Sequence, residues 1–137
     1  MAYWLFKSEP GAWSWGQQVA AGEAGTEWTG VRNHQAKQNM MAMRVGEQGF
    51  FYHSNEGREV VGIVEVIRTY HPDATDPTGR FGLVDVRAVA TLPRPVGLAA
   101  IKAEPGLAGM ALVTQSRLSV QPVRAEEWDL VRRMGGL

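Results

Sequence analysis

Alternating apolar and polar residues predict β-strands as the main elements of this 137-residue chain. The clearest alternation covers residues 83–92, where the even-numbered positions from Val84 to Leu92 are apolar and form one face. We expect Pro93 and Pro95 to end this strand, because proline cannot donate to a strand ladder. The other predicted strands are residues 3–7, 48–54, 60–70 and 118–123.

Apolar residues at helical spacing predict the helices. In residues 34–43, Ala36, Met40 and Met43 fall at positions i, i+4 and i+7, so they form one apolar face. In the last predicted helix, Trp128 begins a similar face, and glycines follow the helix end. This last helix is predicted over residues 126–134, and one or two short helical pieces are predicted within residues 96–110.

Predicted strands outnumber predicted helices, which favours an α+β fold. We predict a small, mostly antiparallel curled sheet or β-barrel with short peripheral helices. The chain has the length of one ordinary domain and shows no repeat or change in composition that would mark a linker. We therefore expect residues 1–137 to form a single domain.

Composition excludes several classes of protein. The chain has no cysteine, which excludes disulfides, thiolate metal sites and cysteine nucleophiles. No apolar run approaches the roughly 20 residues that span a bilayer, and the first ten residues lack a signal-peptide pattern, so we expect a cytoplasmic protein with no membrane partner. Fourteen basic residues offset fourteen acidic ones. This balance argues against a sequence-blind nucleic-acid binder but not against a pocket for one nucleotide.

No enzyme signature is present, and we expect no catalytic residue, metal site or cofactor. The three histidines His34, His53 and His71 are 19 and 18 residues apart on different predicted elements. His53 and Ser54 adjoin on a strand and point to opposite faces, so they cannot act on each other as base and nucleophile. We predict that Asp85 is a solvated strand position and not the partner of a histidine.

Trp28 differs from the other four tryptophans because it lies in a polar, glycine-containing segment, residues 26–33. Such a residue either plugs a loop against the core or lines a pocket, and spacing alone favours the plug. Trp13 and Trp15 follow a Pro-Gly turn, where they could cover the end of the sheet. Four polar clusters lie beside predicted strand ends, where concave ligand sites tend to form. They are residues 7–10, 31–33, 52–55 and 116–119.

Three of these segments carry motifs that are specific in combination: Lys7-Ser-Glu-Pro10, Gly30-Val-Arg-Asn33 and Arg117-Leu-Ser-Val120. With them the chain resembles the EVE domain, a PUA-like family structurally related to the YTH readers of methylated adenine. The resemblance covers nearly the whole chain in order, without large insertions. It implies a PUA-like β-barrel with a pocket that admits a base, in particular a modified cytosine, from DNA or RNA. It also implies a reader and not a catalyst.

The resemblance implies roles for individual residues of this pocket. Trp28 would stack on the base, and Glu9 would accept a hydrogen bond from the exocyclic amine of cytosine. Gly30 would let the backbone approach the ligand and leave amides free to bind it. Other polar residues would bind the base edge (Ser8, Asn33, His53, Ser54) or flanking phosphates (Lys7, Arg32, Arg117). The full predicted pocket is Lys7, Ser8, Glu9, Trp28, Gly30, Val31, Arg32, Asn33, His53, Ser54, Ser116, Arg117 and Leu118.

Two other classes of function stay open at this point. The same pocket could belong to an enzyme that acts on a free modified nucleoside, with His53 or Glu9 as acid or base. It could also hold a peptide or small ligand in a protein-interaction domain. For a nucleic-acid reader, we expect a monomer that depends on a partner protein for any downstream effect.

Overall fold

The computed structural model describes residues 1–137 and contains one six-stranded sheet with short helices around it. The strands are β1 (Tyr3–Ser8), β2 (Thr26–Glu27), β3 (Gln48–His53), β4 (Glu59–Pro72), β5 (Gly82–Gly97) and β6 (Val120–Val123). The helices are α1 (Trp15–Ala20), α2 (His34–Ala42), α3 (Leu98–Ala103), α4 (Ala111–Thr114) and α5 (Ala125–Met134), with 3-10 turns at Gly22–Ala24 and Pro105–Leu107. No helix has the length and apolar composition needed to cross a lipid bilayer.

The sheet is open and mixed, with the strand order β2-β5-β4-β3-β1-β6. Only β1 and β3 are parallel, and the other neighbouring strands are antiparallel. The α+β class and the mostly antiparallel sheet are therefore confirmed. The β-barrel prediction is wrong, because β2 has only two residues and the edge strands β2 and β6 do not pair. Helix α2 packs against β4, β5 and β6 on one face of this open sheet.

The sheet is buried on both faces, so its central strands carry apolar residues at successive positions. Phe6 of β1 and Phe51 of β3 belong to the core on the α2 side. Leu5 and Phe50, their immediate neighbours, belong to the core that α5 covers with Trp128. The side-chain period of two thus assigns adjacent residues to different cores.

The predicted end of β5 at its prolines is wrong, since the strand continues to Gly97. The ladder with β4 is irregular between the Gly62–Thr91 pair and the Val60–Val96 pair. Both prolines fall inside this irregular stretch and are exposed, so no ladder hydrogen bond is lost there. The same irregularities move Leu92 to the α5 side of the sheet, away from the predicted face that begins at Val84.

Helix α2 confirms the predicted apolar face: Ala36, Met40 and Met43 are all buried. Helix α1, in contrast, was missing from the prediction. Its first turn is closed by a capping box, in which Ser14 accepts from the Gln17 N–H and the Gln17 side chain accepts from the Ser14 N–H. A serine followed three residues later by glutamine is the sequence signal that would have identified it.

We predict that Gly62→Ala destabilises the protein strongly. The Trp15 indole lies directly on Gly62 and donates a hydrogen bond to Thr91 of β5, so a Cβ at position 62 would overlap ring atoms. Overpacking of this kind costs about 2 kcal/mol or more of the free energy of unfolding, which urea denaturation measures. Gly97→Ala is the matched control, since a Cβ there meets nothing within 4 Å. Equal stability of the two variants would contradict the prediction.

Candidate functional site

A cavity of about 550 Å³, here called the main cavity, opens where β1 ends. One wall comes from the end of β1 and the following turn. The opposite wall comes from β2 and the two residues after it. The main cavity as a whole is lined by Lys7, Ser8, Glu9, Ala12, Trp13, Thr26, Glu27, Trp28 and Thr29. A volume of this size is typical of small-molecule sites.

Trp28 is both a plug and a cavity wall. The residue is 7% exposed, and its ring meets Phe6 and Phe51 edge to face, at centroid distances of 5.2 Å and 5.5 Å. Its backbone N–H donates to the carbonyl of Val84 at 2.9 Å, so β5 fixes the chain at this point. Trp28 therefore packs its ring in the core, as the plug interpretation expects, and the residue also lines the main cavity.

Trp13 is a second tryptophan of the main cavity that the predicted pocket did not include. Its Nε1 donates to Oε1 of Gln18 at 2.9 Å, and its carbonyl accepts a hydrogen bond from the Ser8 hydroxyl at 2.6 Å. Gln18 is fully buried and donates in turn to the carbonyl of Val86. This chain of hydrogen bonds fixes the ring at the cavity. No periodicity in the sequence carries that information, because the ring lies on a turn.

Lys7 and Glu9 differ in how firmly the protein holds them. Nζ of Lys7 donates to the carbonyl of Ser116 at 2.8 Å, and burial lowers the pKa of Lys7. Glu9 is exposed, and its carboxylate makes no hydrogen bond or ion pair within the chain. Its carbonyl accepts the N–H groups of Ala12 and Trp13, both at 2.9 Å, which fixes the backbone. The main chain at Glu9 is therefore fixed, while its carboxylate is free of partners within the chain and available to a ligand.

Asp73 holds the segment after Trp28 in place. Its carboxylate accepts hydrogen bonds from the Gly30 N–H at 2.9 Å and from the Thr75 N–H and hydroxyl, and it pairs with the Arg32 guanidinium at 3.2 Å. Burial alone would raise the pKa of Asp73, but these hydrogen bonds outweigh it and hold the pKa at about 2. The expectation that Gly30 keeps its amide free for a ligand is wrong, because Asp73 already accepts that hydrogen bond.

Four residues of the predicted pocket line neither the main cavity nor the two cavities that adjoin it. Gly30 and Arg32 are bound by Asp73, and Val31 is part of the α2-side core. Nε2 of His53 accepts a hydrogen bond from the Trp15 N–H at 3.0 Å, and burial lowers its pKa. His53 thus fixes the start of α1.

Two further cavities share lining residues with the main cavity or with each other. The middle cavity, about 390 Å³, shares Lys7 and Glu9 with the main cavity, and the end cavity, about 310 Å³, shares Ser116 with the middle one. We call the three together the groove. The middle cavity is lined by Lys7, Glu9, Tyr52, Ser54, Asn55, Arg58, Leu98, Lys102, Leu112 and Ser116. The end cavity is lined by Asn33, Gln35, Thr114, Gln115, Ser116, Arg117 and Leu118.

The groove contains nine of the thirteen predicted pocket residues, but it separates them. Lys7, Ser8, Glu9 and Trp28 share the main cavity. Ser54 lies in the middle cavity and Arg117 in the end cavity, so these residues do not line one cavity together. Asn33, also in the end cavity, uses its side chain to accept the Ala36 N–H and cap α2. Their roles towards a ligand stay predictions.

One contact contradicts the sequence prediction for Asp85. Its side chain is only 18% exposed, and its Oδ1 lies 3.3 Å from Nε2 of His71. Glu27 of the main cavity reaches the same nitrogen at 3.6 Å. The spacing of these residues along the sequence gave no sign of this contact, because the sheet order β2-β5-β4 creates it.

Comparison with known proteins places these features in a family. The family model described as EVE domain matches residues 2–134. Human thymocyte nuclear protein 1 is 34% identical over 162 residues, which span 95% of this chain and 72% of the human protein. A crystal structure of a protein from Agrobacterium tumefaciens is 59% identical with a TM-score of 0.97, and the match covers 100% of this chain and 94% of the other.

A crystal structure of the human THYN1 protein in complex with 5-methylcytosine-containing DNA is also similar. It is 32% identical with a TM-score of 0.92, and the match covers 100% of this chain and 99% of the other. A YTH domain from Zygosaccharomyces rouxii has 17% identity and a TM-score of 0.59 over 99% of this chain and 87% of its own. That likeness shows a common fold alone.

We predict that Asp73→Asn lowers the free energy of unfolding by about 2 kcal/mol at neutral pH. The substitution removes the ion pair with Arg32 and places an amide donor among N–H donors. The stabilisation by the Asp73 carboxylate also depends on pH. The ordinary pKa of this carboxyl is 3.8 and the pKa in the folded protein is about 2. The stabilisation is therefore complete at pH values well above the ordinary pKa. It is lost as the pH falls from about 4 through about 2.

Urea denaturation from pH 6 down to about pH 2.5 measures this effect. We expect the decline of wild-type stability in that range to be shallower in Asp73→Asn. Asp129→Asn, at an exposed position on α5, is the control and should follow the wild type. A decline of the same steepness in Asp73→Asn and the wild type would refute the role assigned to Asp73.

Proposed function

The chain belongs to the EVE domain family, and we propose that it binds nucleic acid by accepting a modified base of the cytosine type in the main cavity. The relative solved with 5-methylcytosine-containing DNA supports DNA as the first ligand to test, and RNA of the same sequence is the comparison. The observation that carries the proposal is the main cavity itself, in which two tryptophans lie beside an unpaired carboxylate.

A base removed from its stack needs a flat apolar surface and a partner for its hydrogen-bonding edge. The main cavity offers the first in Trp13 and Trp28, whose rings are fixed by hydrogen bonds and core packing respectively. It offers the second in Glu9, because a carboxylate accepts from the exocyclic amine of cytosine. Since thymine has an oxygen at that position, Glu9 also disfavours thymine by placing two acceptors together.

The flanking phosphates need positive charge, and the middle cavity has it. Lys7, Arg58 and Lys102 line this cavity with Glu9 as the one acidic residue. Arg58 and Lys102 are exposed, and Arg117 continues the positive charge into the end cavity. We infer that the strand follows the groove from the main cavity past these cations. A chain of zero net charge can bind a polyanion in this way, because the cations are local.

We propose a binding module and not an enzyme. A reaction on a nucleoside in this cavity would need an acid or base, and His53 was one candidate for that role. Nε2 of His53 instead accepts the backbone hydrogen of Trp15, and burial favours its neutral form. The remaining candidate, Glu9, has no nucleophile or base paired with it. The cavity therefore fits recognition better than turnover.

We predict that Glu9→Gln and Trp13→Ala each weaken the binding of a modified-cytosine oligonucleotide about tenfold. Glu9→Gln replaces the carboxylate that accepts a hydrogen bond from the cytosine amine by an uncharged amide. Trp13→Ala removes a stacking surface worth about 1–3 kcal/mol per base. Fluorescence anisotropy of labelled oligonucleotides that differ only in one cytosine, 5-methylcytosine or 5-hydroxymethylcytosine measures the Kd. N6-methyladenine in the same position tests whether the preference is for cytosine.

Glu126→Gln, at an exposed position at the start of α5, is the matched charge control and should bind as the wild type does. To test the role of Trp28 in binding, Trp28→Phe is a better variant than Trp28→Ala, because full truncation of a buried tryptophan costs about 3–5 kcal/mol of the free energy of unfolding. The proposal fails if the folded wild type shows no preference for any modified base, or if Glu9→Gln and Trp13→Ala bind with wild-type affinity.

We predict a different signature for the cations of the middle cavity. Arg58→Ala and Lys102→Ala should weaken binding to modified and unmodified oligonucleotides by the same factor, because phosphates carry no base information. Each should also reduce the slope of log K against log salt concentration by about one. Arg133→Ala, exposed at the end of α5, is the control. An unchanged salt slope in both groove variants would place the nucleic-acid strand elsewhere.

A further inference from the structure

Three side chains from neighbouring strands meet beside the main cavity: Glu27 of β2, Asp85 of β5 and His71 of β4. Glu27 and Asp85 are directly opposite each other in the ladder. Nε2 of His71 lies 3.3 Å from Oδ1 of Asp85 and 3.6 Å from Oε2 of Glu27, and the three candidate ligand atoms all lie within 4.8 Å of one another. We call these residues the His71 cluster.

The tautomer of His71 makes this arrangement unusual. Nδ1 lies 2.7 Å from the carbonyl oxygen of Thr69, and a carbonyl only accepts, so Nδ1 carries the hydrogen. Unless Nε2 also carries a hydrogen, its lone pair is directed towards two carboxylates. Nε2 of His71 and Oδ1 of Asp85 are both buried, and neither atom has a hydrogen-bond partner. Such an assembly of acceptors is unfavourable unless a positive charge lies between them.

We propose that the His71 cluster binds a divalent d-block cation, with Zn²⁺ as the best match. Imidazole nitrogen and carboxylate oxygen are ordinary zinc ligands, at about 2.0–2.2 Å from the metal. Tetrahedral coordination at those lengths separates neighbouring ligand atoms by about 3.3–3.6 Å, which agrees with both distances from Nε2. The Nδ1–H contact with a backbone carbonyl is also the outer contact that metal-binding histidines usually make.

The ligand chemistry distinguishes this cation from magnesium and calcium. Mg²⁺ and Ca²⁺ prefer oxygen ligands and larger coordination numbers, whereas imidazole suits zinc and its neighbours in the d-block. Three protein ligands leave a fourth tetrahedral position for water or a bound molecule. Because Glu27 is 58% exposed and also lines the main cavity, the cation would lie in the cavity wall. The assignment rests on the cluster alone and does not depend on base recognition.

The test is a titration of chelator-treated, metal-free protein with Zn²⁺ in competition with a chromophoric chelator. We expect one Zn²⁺ per chain and no displacement by Mg²⁺ at the same concentration. Co²⁺ in place of Zn²⁺ should give the intense visible absorption of a tetrahedral site. Asp85→Asn should raise the Kd for Zn²⁺ about tenfold or more, and Glu27→Gln should raise it less, because its side chain is the exposed ligand.

His34→Ala, which removes an exposed histidine outside the cluster, should leave the Kd for Zn²⁺ unchanged. The proposal is overturned if the wild type shows no saturable binding, since the cluster then holds only a proton. It is also overturned if Asp85→Asn and Glu27→Gln bind Zn²⁺ as tightly as the wild type, since the metal then lies on other side chains. If near-ultraviolet circular dichroism shows that Asp85→Asn is unfolded, Glu27→Gln at the exposed rim decides the outcome.

Discussion

The hydrogen bonds to the buried carboxylate of Asp73 determine the position of a segment that has no helix or strand of its own. Residues 28–33 run from the wall of the main cavity, at Trp28 and Thr29, to the start of α2, yet the ladder between β2 and β5 ends at Glu27. Asp73 replaces that ladder by accepting the Gly30 N–H and pairing with Arg32, while Thr75 completes its hydrogen bonds. A charge this buried is stable only with such partners. The same partners therefore stabilise the carboxylate and fix the segment that follows the cavity wall at Trp28 and Thr29.

The groove itself arises from the one parallel pair of strands in the sheet. Because β1 and β3 run in the same direction, Ser8 is paired with His53 and both strands end at the same edge. The polar residues that follow each strand, Glu9 and Ser54, then line adjoining parts of the groove. An antiparallel pair would have placed them at opposite ends of the sheet. The parallel register thus brings together two polar clusters that are more than forty residues apart in the chain.

The sequence predicted features that depend on local pattern and missed those that depend on strand pairing. Spacing identified the buried face of α2, and motif resemblance identified Lys7, Ser8, Glu9 and Trp28, which share the main cavity. The open sheet, the continuation of β5 through its prolines, and the engagement of His53 and Gly30 required the register of the sheet and the paths of its loops. Trp13 escaped prediction for the same reason, since hydrogen bonds with Ser8 and Gln18 fix it and no period does.

Acidic and basic side chains are distributed unevenly along the groove. The main cavity has two carboxylates, Glu9 and Glu27, and one cation, Lys7, whereas the middle cavity has three cations and only Glu9. Amine-bearing bases are favoured by the first arrangement and phosphates by the second. Glu27 also faces Nε2 of His71, so the charge of the main cavity wall depends on what the His71 cluster holds. A bound cation would neutralise that carboxylate and leave Glu9 as the one uncompensated carboxylate of the main cavity.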